Sequence, residues 1–388
     1  MSVLGLLPAL GGGLRELAST GQAGRLLDGY LARYVLAFDG VRYFSYLVES
    51  LGEFTSDPAL LAGVELVAPS RPMSRGRRAT TLAWTEAARL RTCHVLRAFQ
   101  VTGTIPAILA STRFNVPYVT TYGFSYDELS QPGPKRLLKA VVERVGLRRA
   151  AAVIVTTEAL RARAARVARE VVVVPNGVDT QRFAPLPGDR PRREPARVLY
   201  VGRFSPEKNL DTIVAAAAQL ARDRPLRLVL VGAGPLAVRL RAQAAVAGLD
   251  LEMPGVVPQE RLPALYAEAD AFVLASFTEG HPKVLLEAMA AGVPCLASNC
   301  EGNRSLVSDG VTGLLFDPRR PDALAAGLER VLADRSLAHG LAAAGRAQVV
   351  ARYDLATLVG IEIALLQRVA RGGVAAAPLA AAPETPIR

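Results

Sequence analysis

Residues 276–294 read SFTEGHPKVLLEAMAAGVP and place Glu279 and Glu287 eight positions apart in a stretch otherwise fit for a core. Upstream, "VGRFSPEKN" at 201–209 sets Arg203 and Lys208 five residues apart. Arginine offers a planar fork to phosphate oxygens and lysine a mobile point charge, so the pair can hold a diphosphate. Pro282 suits the first turn of a helix, "KVLLEAMAA", that Gly292 closes. The amides of His281, Lys283 and Val284 at that positive helix end would receive an anion, although Pro282 cannot donate. Taken singly, each feature has a blander reading: Glu279 capping the helix, Glu287 solvated, Arg203 and Lys208 in a solvated loop. Lys208 stands at the mouth of a further helix, "LDTIVAAAAQL". A cation there opposes the helix dipole, which favours an anion lying between.

These residues need a parallel sheet to position them. Strand-like runs alternate with helical ones: "VLGLLPAL", "YVLAFD", "VELVAP", "VPYVTTYG", "AAVIVTT" and "EVVVVPNG" in the first half. A second series follows: "RVLYVGR", "LRLVLVG", "LDLEMPG", "DAFVLAS", "VPCLAS" and "TGLLF". Near-continuous apolar strands separated by Ala- and Leu-rich helices indicate parallel sheets covered on both faces. "FTEGH" then lies at the carboxyl end of "DAFVLAS", where open α/β sheets bind ligands. The proline- and charge-rich segment 185–195 reads as a linker between a first domain, 1–184, and a second, 196–350. A helix over 351–370 and a low-complexity, disordered tail over 371–388 complete the expected organisation.

The 388 residues exceed the size at which one core keeps growing, and 51% apolar with 21% charged content is that of a globular chain. The formal charge of +11 is concentrated. Residues 71–97 hold seven arginines against Glu86, and 133–170 hold ten cations against three glutamates, so an anionic surface or substrate is expected to face the first half. Three cysteines, Cys93, Cys295 and Cys300, lack metal-ligand spacing and fit a reducing compartment. There is no stretch long enough to span a membrane and no signal-peptide pattern, so the expected location is the cytoplasm or the inner membrane face.

The motifs "VGRFSPEKN", "ADAFVLASFTEGHPKVLLEAMAAGVP" (269–294), "DGVTGLLFDP" (309–318) and "VVVVPNGVDTQRF" (171–183) resemble the retaining nucleotide-sugar glycosyltransferases of family 4. The resemblance implies a GT-B fold: α/β, two facing Rossmann-like domains with an interdomain cleft. It further implies that Arg203 and Lys208 bind the donor diphosphate, that Glu279 contacts the transferred sugar and that Glu287 holds the ribose hydroxyls. Gly12 and Gly13, in "LPALGGGL", match the family's flexible first loop near the donor phosphates. Arg203, Lys208 and Glu279 are the expected catalytic set. The chain departs from the pattern at His281, where phenylalanine is usual, and at Tyr122, where many members have histidine. His94 is read as a satisfied core histidine on a strand. A retaining reaction can use a donor phosphate oxygen as base, and the chain has no Asp-x-Asp triad, so no cofactor and no metal are expected. The expected partners are a nucleoside-diphosphate sugar and a lipid-linked or saccharide acceptor, and the setting surface polysaccharide or glycolipid synthesis.

A rival reading comes from "LVLVGAGPLAVRL" (228–240), a strand followed by G-x-G-x-x-A with Asp250 and Glu252 downstream, as an NAD or FAD fingerprint requires. A degenerate, nonenzymatic relative serving as a binding subunit is the other alternative. In "PKRLLKAVVERVGLRR" (134–149), Leu137, Leu138, Val141, Val142 and Val145 recur at helical spacing, with Lys135, Arg136, Lys139, Arg148 and Arg149 mostly off that stripe. Such a helix can lie on anionic lipid or bury its stripe in the domain core. No aromatic residues interleave with the cations, so nucleic acid is not an expected partner.

Overall fold

The computed structural model describes residues 2–123, 134–185 and 193–372, with backbone alone for 134–138. The chain forms two compact units. One comprises residues up to Pro175 together with those from Thr357, and the other Asn176–Ala356.

The first unit holds a seven-stranded parallel sheet: β1 (Val3–Leu7), β2 (Gly40–Phe44), β3 (Val64–Val67), β4 (Val95–Ala98), β5 (Tyr118–Tyr122), β6 (Ala152–Val155) and β7 (Val171–Val173). Its order is β3-β2-β1-β4-β5-β6-β7. The second unit holds β8 (Ala196–Val201), β9 (Leu226–Val231), β10 (Asp250–Gly255), β11 (Ala271–Leu274), β12 (Cys295–Ser298) and β13 (Leu314–Phe316), in the order β10-β9-β8-β11-β12-β13. Every residue of β4, β6, β11 and β12 is buried, as strands covered on both faces require. The strand order reverses beside β1 in one sheet and beside β8 in the other. Crevices at the carboxyl ends of β1/β4 and β8/β11 are therefore the places where each unit can take a ligand.

"YVLAFD" is not a strand. Its first four residues end the helix Ala32–Ala37, and the strand is the following "GVRYF". Tyr30, Tyr34 and Phe38 recur every four residues, and their rings meet at centroid distances of 6.2 and 6.4 Å. That is one face of a helix, with Leu36 left 88% exposed, so tertiary packing overrides the strand preference of tyrosine and valine.

The units divide at Pro175, ahead of the proline-rich segment expected as the linker, of which 186–192 lie outside the described residues. The helix expected over 351–370 is instead the end of one helix, Arg335–Arg352, and a second, Leu355–Ala370. The break forms because Val178 takes both ladder bonds there: its amide donates to the Tyr353 carbonyl (2.9 Å) and its carbonyl accepts from Leu355 (2.8 Å). The tail from 373 lies outside the described residues. Among the described residues no helix is long and apolar enough to cross a membrane.

Candidate functional site

In the second unit, β8 runs into a loop whose single 3-10 turn, Pro206–Lys208, ends at Asn209. Asn209 adopts the left-handed region (φ 55°), which asparagine tolerates better than most residues, and so turns the chain into the helix Leu210–Leu220. Its side-chain amide donates to the carbonyls of Ala275 (3.1 Å) and Pro318 (2.7 Å), and its oxygen accepts from Thr212 Oγ1 (3.0 Å). Phe277 donates its amide to the Glu207 carbonyl at 2.9 Å. The loop after β8 is thus stitched to the loop after β11 across the point where strand order reverses.

This stitching brings together two of the four residues singled out in the sequence. Lys208 Nζ lies 2.6 Å from Glu279 Oε1, which also accepts from Ser276 Oγ at 2.7 Å. Both side chains are largely screened, 20% and 11% exposed. The cation at the helix mouth therefore has an anionic partner within the protein. The helix-dipole argument for a bound anion is met by Glu279 and does not by itself require a ligand. Arg203 stands apart, 81% exposed, with Glu207 3.7 Å away.

Glu287 is neither solvated nor on the surface. It is 5% exposed and accepts from the Tyr266 hydroxyl at 3.1 Å. Burial, then the neighbouring Glu287 charge, holds the Tyr266 hydroxyl well above its ordinary pKa, so it stays a donor. Glu279 does not cap the following helix, Lys283–Ala290, whose N-cap position is Pro282 with no side-chain bond. Val284 sits in its first turn, and its carbonyl shares the Tyr266 hydroxyl (3.2 Å).

His281 is buried, its ring edge-on to Tyr353 at 5.3 Å, and its carbonyl accepts from the Asn176 side chain at 2.7 Å. Burial lowers its pKa to about 4. An unfolded histidine titrates near 6.5 and takes protons that the native state refuses, so stability is complete above about pH 6.5 and falls as pH drops towards 4, by up to about 3 kcal/mol. His281→Phe is expected to flatten that part of the curve. Superimposable pH dependences of melting for the two proteins between pH 4 and 7 would refute this.

The glycine-rich turn of the rival dinucleotide reading follows β9, one strand away from the reversal. A Cβ on Gly234 would lie 2.4 Å from the Phe204 carbonyl oxygen, so this glycine exists to let the turn pack on the chain's own backbone. Asp250 pairs with Arg227 (2.8 Å) and Glu252 with Arg197 (3.2 Å), both structural partners at the sheet edge. A cavity of about 620 Å³ lies elsewhere in this unit, between Gln219, Arg224 and Glu329 near the start of β9, away from Lys208 and Glu279.

In the first unit, the Gly12 amide closes a turn onto the Ala9 carbonyl (2.8 Å). The Glu49 carboxylate lies against Gly13 and accepts from the amides of Leu14 and Arg15, each at 2.9 Å, and from Ser45 Oγ at 2.6 Å. The helix start behind the glycines is thus occupied by the protein's own carboxylate. His94 is exposed and just precedes β4, its Nδ1 accepting from the Val3 amide at 3.1 Å, which corrects the expectation of a core histidine. On the helix Pro134–Arg149, Lys139 and Arg148 are exposed, and Arg149 donates to Thr112 Oγ1 (2.8 Å). The side chains of Lys135 and Arg136 lie outside the described residues.

Sequence reasoning missed Ser276, Tyr266, Asn209 and Asn176. Only Asn209 carried a local signal, an asparagine at a turn into a helix; the others act through contacts distant in sequence.

Comparison with known proteins covers both halves. Residues 188–348 match the model of "Glycosyl transferases group 1", and 39–182 match that of "Glycosyltransferase Family 4". A GDP-mannose-dependent alpha-(1-6)-phosphatidylinositol monomannoside mannosyltransferase of Mycobacterium tuberculosis is 37% identical over 202 residues, 48% of this chain and 52% of that protein. The chain thus spans about half the length of the curated relatives it matches. Among solved structures, sucrose-phosphate synthase from Thermosynechococcus elongatus superposes with a TM-score of 0.76 at 23% identity, over 96% of this chain and 100% of the other. Anabaena HepE in complex with UDP-glucose gives 0.74 at 20%, over 95% and 100%. These likenesses show the fold, two parallel-sheet α/β domains of GT-B type. With both halves matched by their models in the expected order, the chain belongs to the group 1, family 4 glycosyltransferases.

Proposed function

We propose that the chain moves a hexose from a nucleoside-diphosphate sugar to a saccharide or lipid-linked acceptor, with retention and without a metal. The observation that carries this reading is the Lys208–Glu279 pair, held at the strand-order reversal of the second sheet by the Asn209 and Phe277 bonds. The mobile ammonium of Lys208, joined by the exposed fork of Arg203, would meet the negative charge that builds on the departing diphosphate. That is the electrostatic work a metal does elsewhere. Glu279, oriented by Lys208 and Ser276, would take hydroxyl hydrogen bonds of the transferred sugar, and Glu287, fixed by Tyr266, those of the ribose. The relatives named for GDP-mannose and the structure holding UDP-glucose support a hexose donor.

A thermal-shift screen of nucleoside diphosphates and their sugars tests the donor class, since a ligand binding only the native state adds about 2.7 kcal/mol at 100 Kd. Glu287→Gln keeps the volume while weakening the ribose contact, and is expected to reduce nucleoside diphosphate affinity about tenfold, the scale of one charge-assisted hydrogen bond. Unchanged affinity by calorimetry would contradict the ribose role.

For the acceptor side, Val141 (51%) and Val145 (38%) are exposed beside Arg144 and Arg148, which supports an anionic membrane surface over a stripe turned wholly into the core. Replacing Lys139, Arg144 and Arg148 by serine is expected to release the protein from phosphatidylserine vesicles. Equal cosedimentation of the two proteins would return the helix to a structural role.

A further inference from the structure

The loop after β12 gives no side chain to the Lys208–Glu279 pair, yet it meets the Glu279 loop at two points. The first is Ser276. Ser298, the last residue of β12, donates its hydroxyl to the Ser276 carbonyl at 2.5 Å. Asn303, in the short helix Glu301–Arg304, donates through Nδ2 to that hydroxyl oxygen and to the Ser298 carbonyl, each at 2.9 Å. A hydroxyl has a single hydrogen to give, so with its oxygen accepting from Asn303 the Ser298 hydroxyl is aimed at Ser276. Ser276 in turn spends its own hydroxyl on Glu279 Oε1 at 2.7 Å. The second point is Gly302, where a Cβ would lie 2.3 Å from the Glu279 carbonyl oxygen and 2.7 Å from that of Gly280. Both are main-chain atoms, so a larger residue at 302 must displace the peptide that carries Glu279.

This arrangement carries a cost that apolar packing would avoid. Ser276, Ser298 and Asn303 are each 0% exposed, and Asn303 Oδ1 has no hydrogen-bond partner. A fully buried carbonyl oxygen without a donor is unfavourable, and a leucine would fill similar space without that loss. What the asparagine offers in return is its amide nitrogen, which directs Ser298. On the opposite flank, Asn209 holds the Ala275 carbonyl and the Phe277 amide donates to Glu207. The peptides from 275 to 280 are thus fixed by the loop after β8 on one side and by the loop after β12 on the other, and the charged side chain they present is Glu279.

We propose that Ser298, Asn303 and Gly302 are positioning residues that set where the Glu279 carboxylate meets the transferred sugar. The sugar contact rests on the glycosyl-transfer reading above; the placement of the carboxylate does not.

The test follows release of nucleoside diphosphate by the full chain from GDP-mannose or UDP-glucose, whichever the thermal-shift screen selects. Ser298→Ala is expected to lower kcat about tenfold, the scale of one buried hydrogen bond. Gly302→Ala, which shifts main chain, is expected to lower it about a hundredfold, as a misplacement near 1 Å does. Calorimetric affinity for the matching nucleoside diphosphate should be unchanged in Ser298→Ala, because the residues assigned to the diphosphate and ribose are not moved. In a Glu279→Ala background Ser298→Ala should cost nothing further, since the group it positions is gone. The same loss in that background, no loss in the wild-type background, or a diphosphate affinity that falls together with kcat would each overturn the proposal. Crystal structures of Ser298→Ala and Gly302→Ala are expected to show the Glu279 carboxylate displaced from its wild-type place, and an unmoved carboxylate in both would overturn the proposal without reference to activity. If the wild type turns over neither sugar nucleotide, the glycosyl-transfer reading fails on its own, and the crystal structures still decide the positioning.

Discussion

Lys208→Ala is expected to lower sugar transfer by roughly two to three orders of magnitude, about 2.7–4 kcal/mol of transition-state stabilisation, as when one preorganised donor is removed from a charge that develops in the reaction. Two losses combine in this variant. On the proposed reading the diphosphate loses a partly buried cation, and Glu279 loses the counter-charge at 2.6 Å that fixes its carboxylate, keeping only Ser276 Oγ. Arg203→Ala removes charge without disturbing that pair, because its side chain is 81% exposed and 3.7 Å from Glu207. A smaller loss, some tens-fold, is expected there, and no change in stability, since an exposed pair contributes about 0–1 kcal/mol. Lys208→Met, Glu279→Gln and the double variant complete a cycle. If lysine acts partly by holding the glutamate, the double variant should be less impaired than the product of the single effects. Turnover like wild type in both Lys208→Ala and Arg203→Ala would end the diphosphate assignment.

The sequence made the site legible to the extent that local pattern determines it. Apolar runs give the strands, Pro282 and Gly292 bound a helix, and the loops after β8 and β11 follow at the carboxyl edge. What local pattern does not carry is which charges meet. Lys208 and Glu279 are 71 positions apart and joined by Asn209 and Phe277 bonds that only the folded sheet creates. The same limit explains "YVLAFD". Its residues suit a strand, and its helical state depends on Tyr34 reaching Glu362, 328 positions away. Glu362 itself left a trace in the sequence, a single acid inside the apolar helix "LATLVGIEIALL", which signals a buried charge with a partner to be found.

That partner supports the largest effect on stability. Glu362 (4% exposed) accepts from Arg97 Nε at 2.6 Å and Nη2 at 3.3 Å, and from the Tyr34 hydroxyl at 2.5 Å. Arg97, on β4, spends its remaining donors on the Ala98 carbonyl and Thr121 Oγ1, each at 2.7 Å, and lies over the Phe99 ring. Burial and then the Glu362 charge hold the Tyr34 hydroxyl well above its ordinary pKa, so it remains a donor across the physiological range. The network ties the last helix to the centre of the first sheet, but its net contribution is not the sum of its bonds, because both ions were taken out of water. Removing one ion is what costs most: Arg97→Met is expected to destabilise the first unit by about 3–5 kcal/mol, through a buried carboxylate left without its counter-charge. Within a total of about 5–15 kcal/mol this is a large fraction. Arg97→Met with Glu362→Leu removes both charges and should recover most of the loss, leaving the Tyr34 hydroxyl unpaired at about 1–3 kcal/mol. Adding Tyr34→Phe should recover that as well. Hydrogen exchange of the full chain, followed at β4 and at the Leu355–Ala370 helix, separates this unit from the other. Protection in Arg97→Met equal to wild type at both places would show that the pair does not hold the helix.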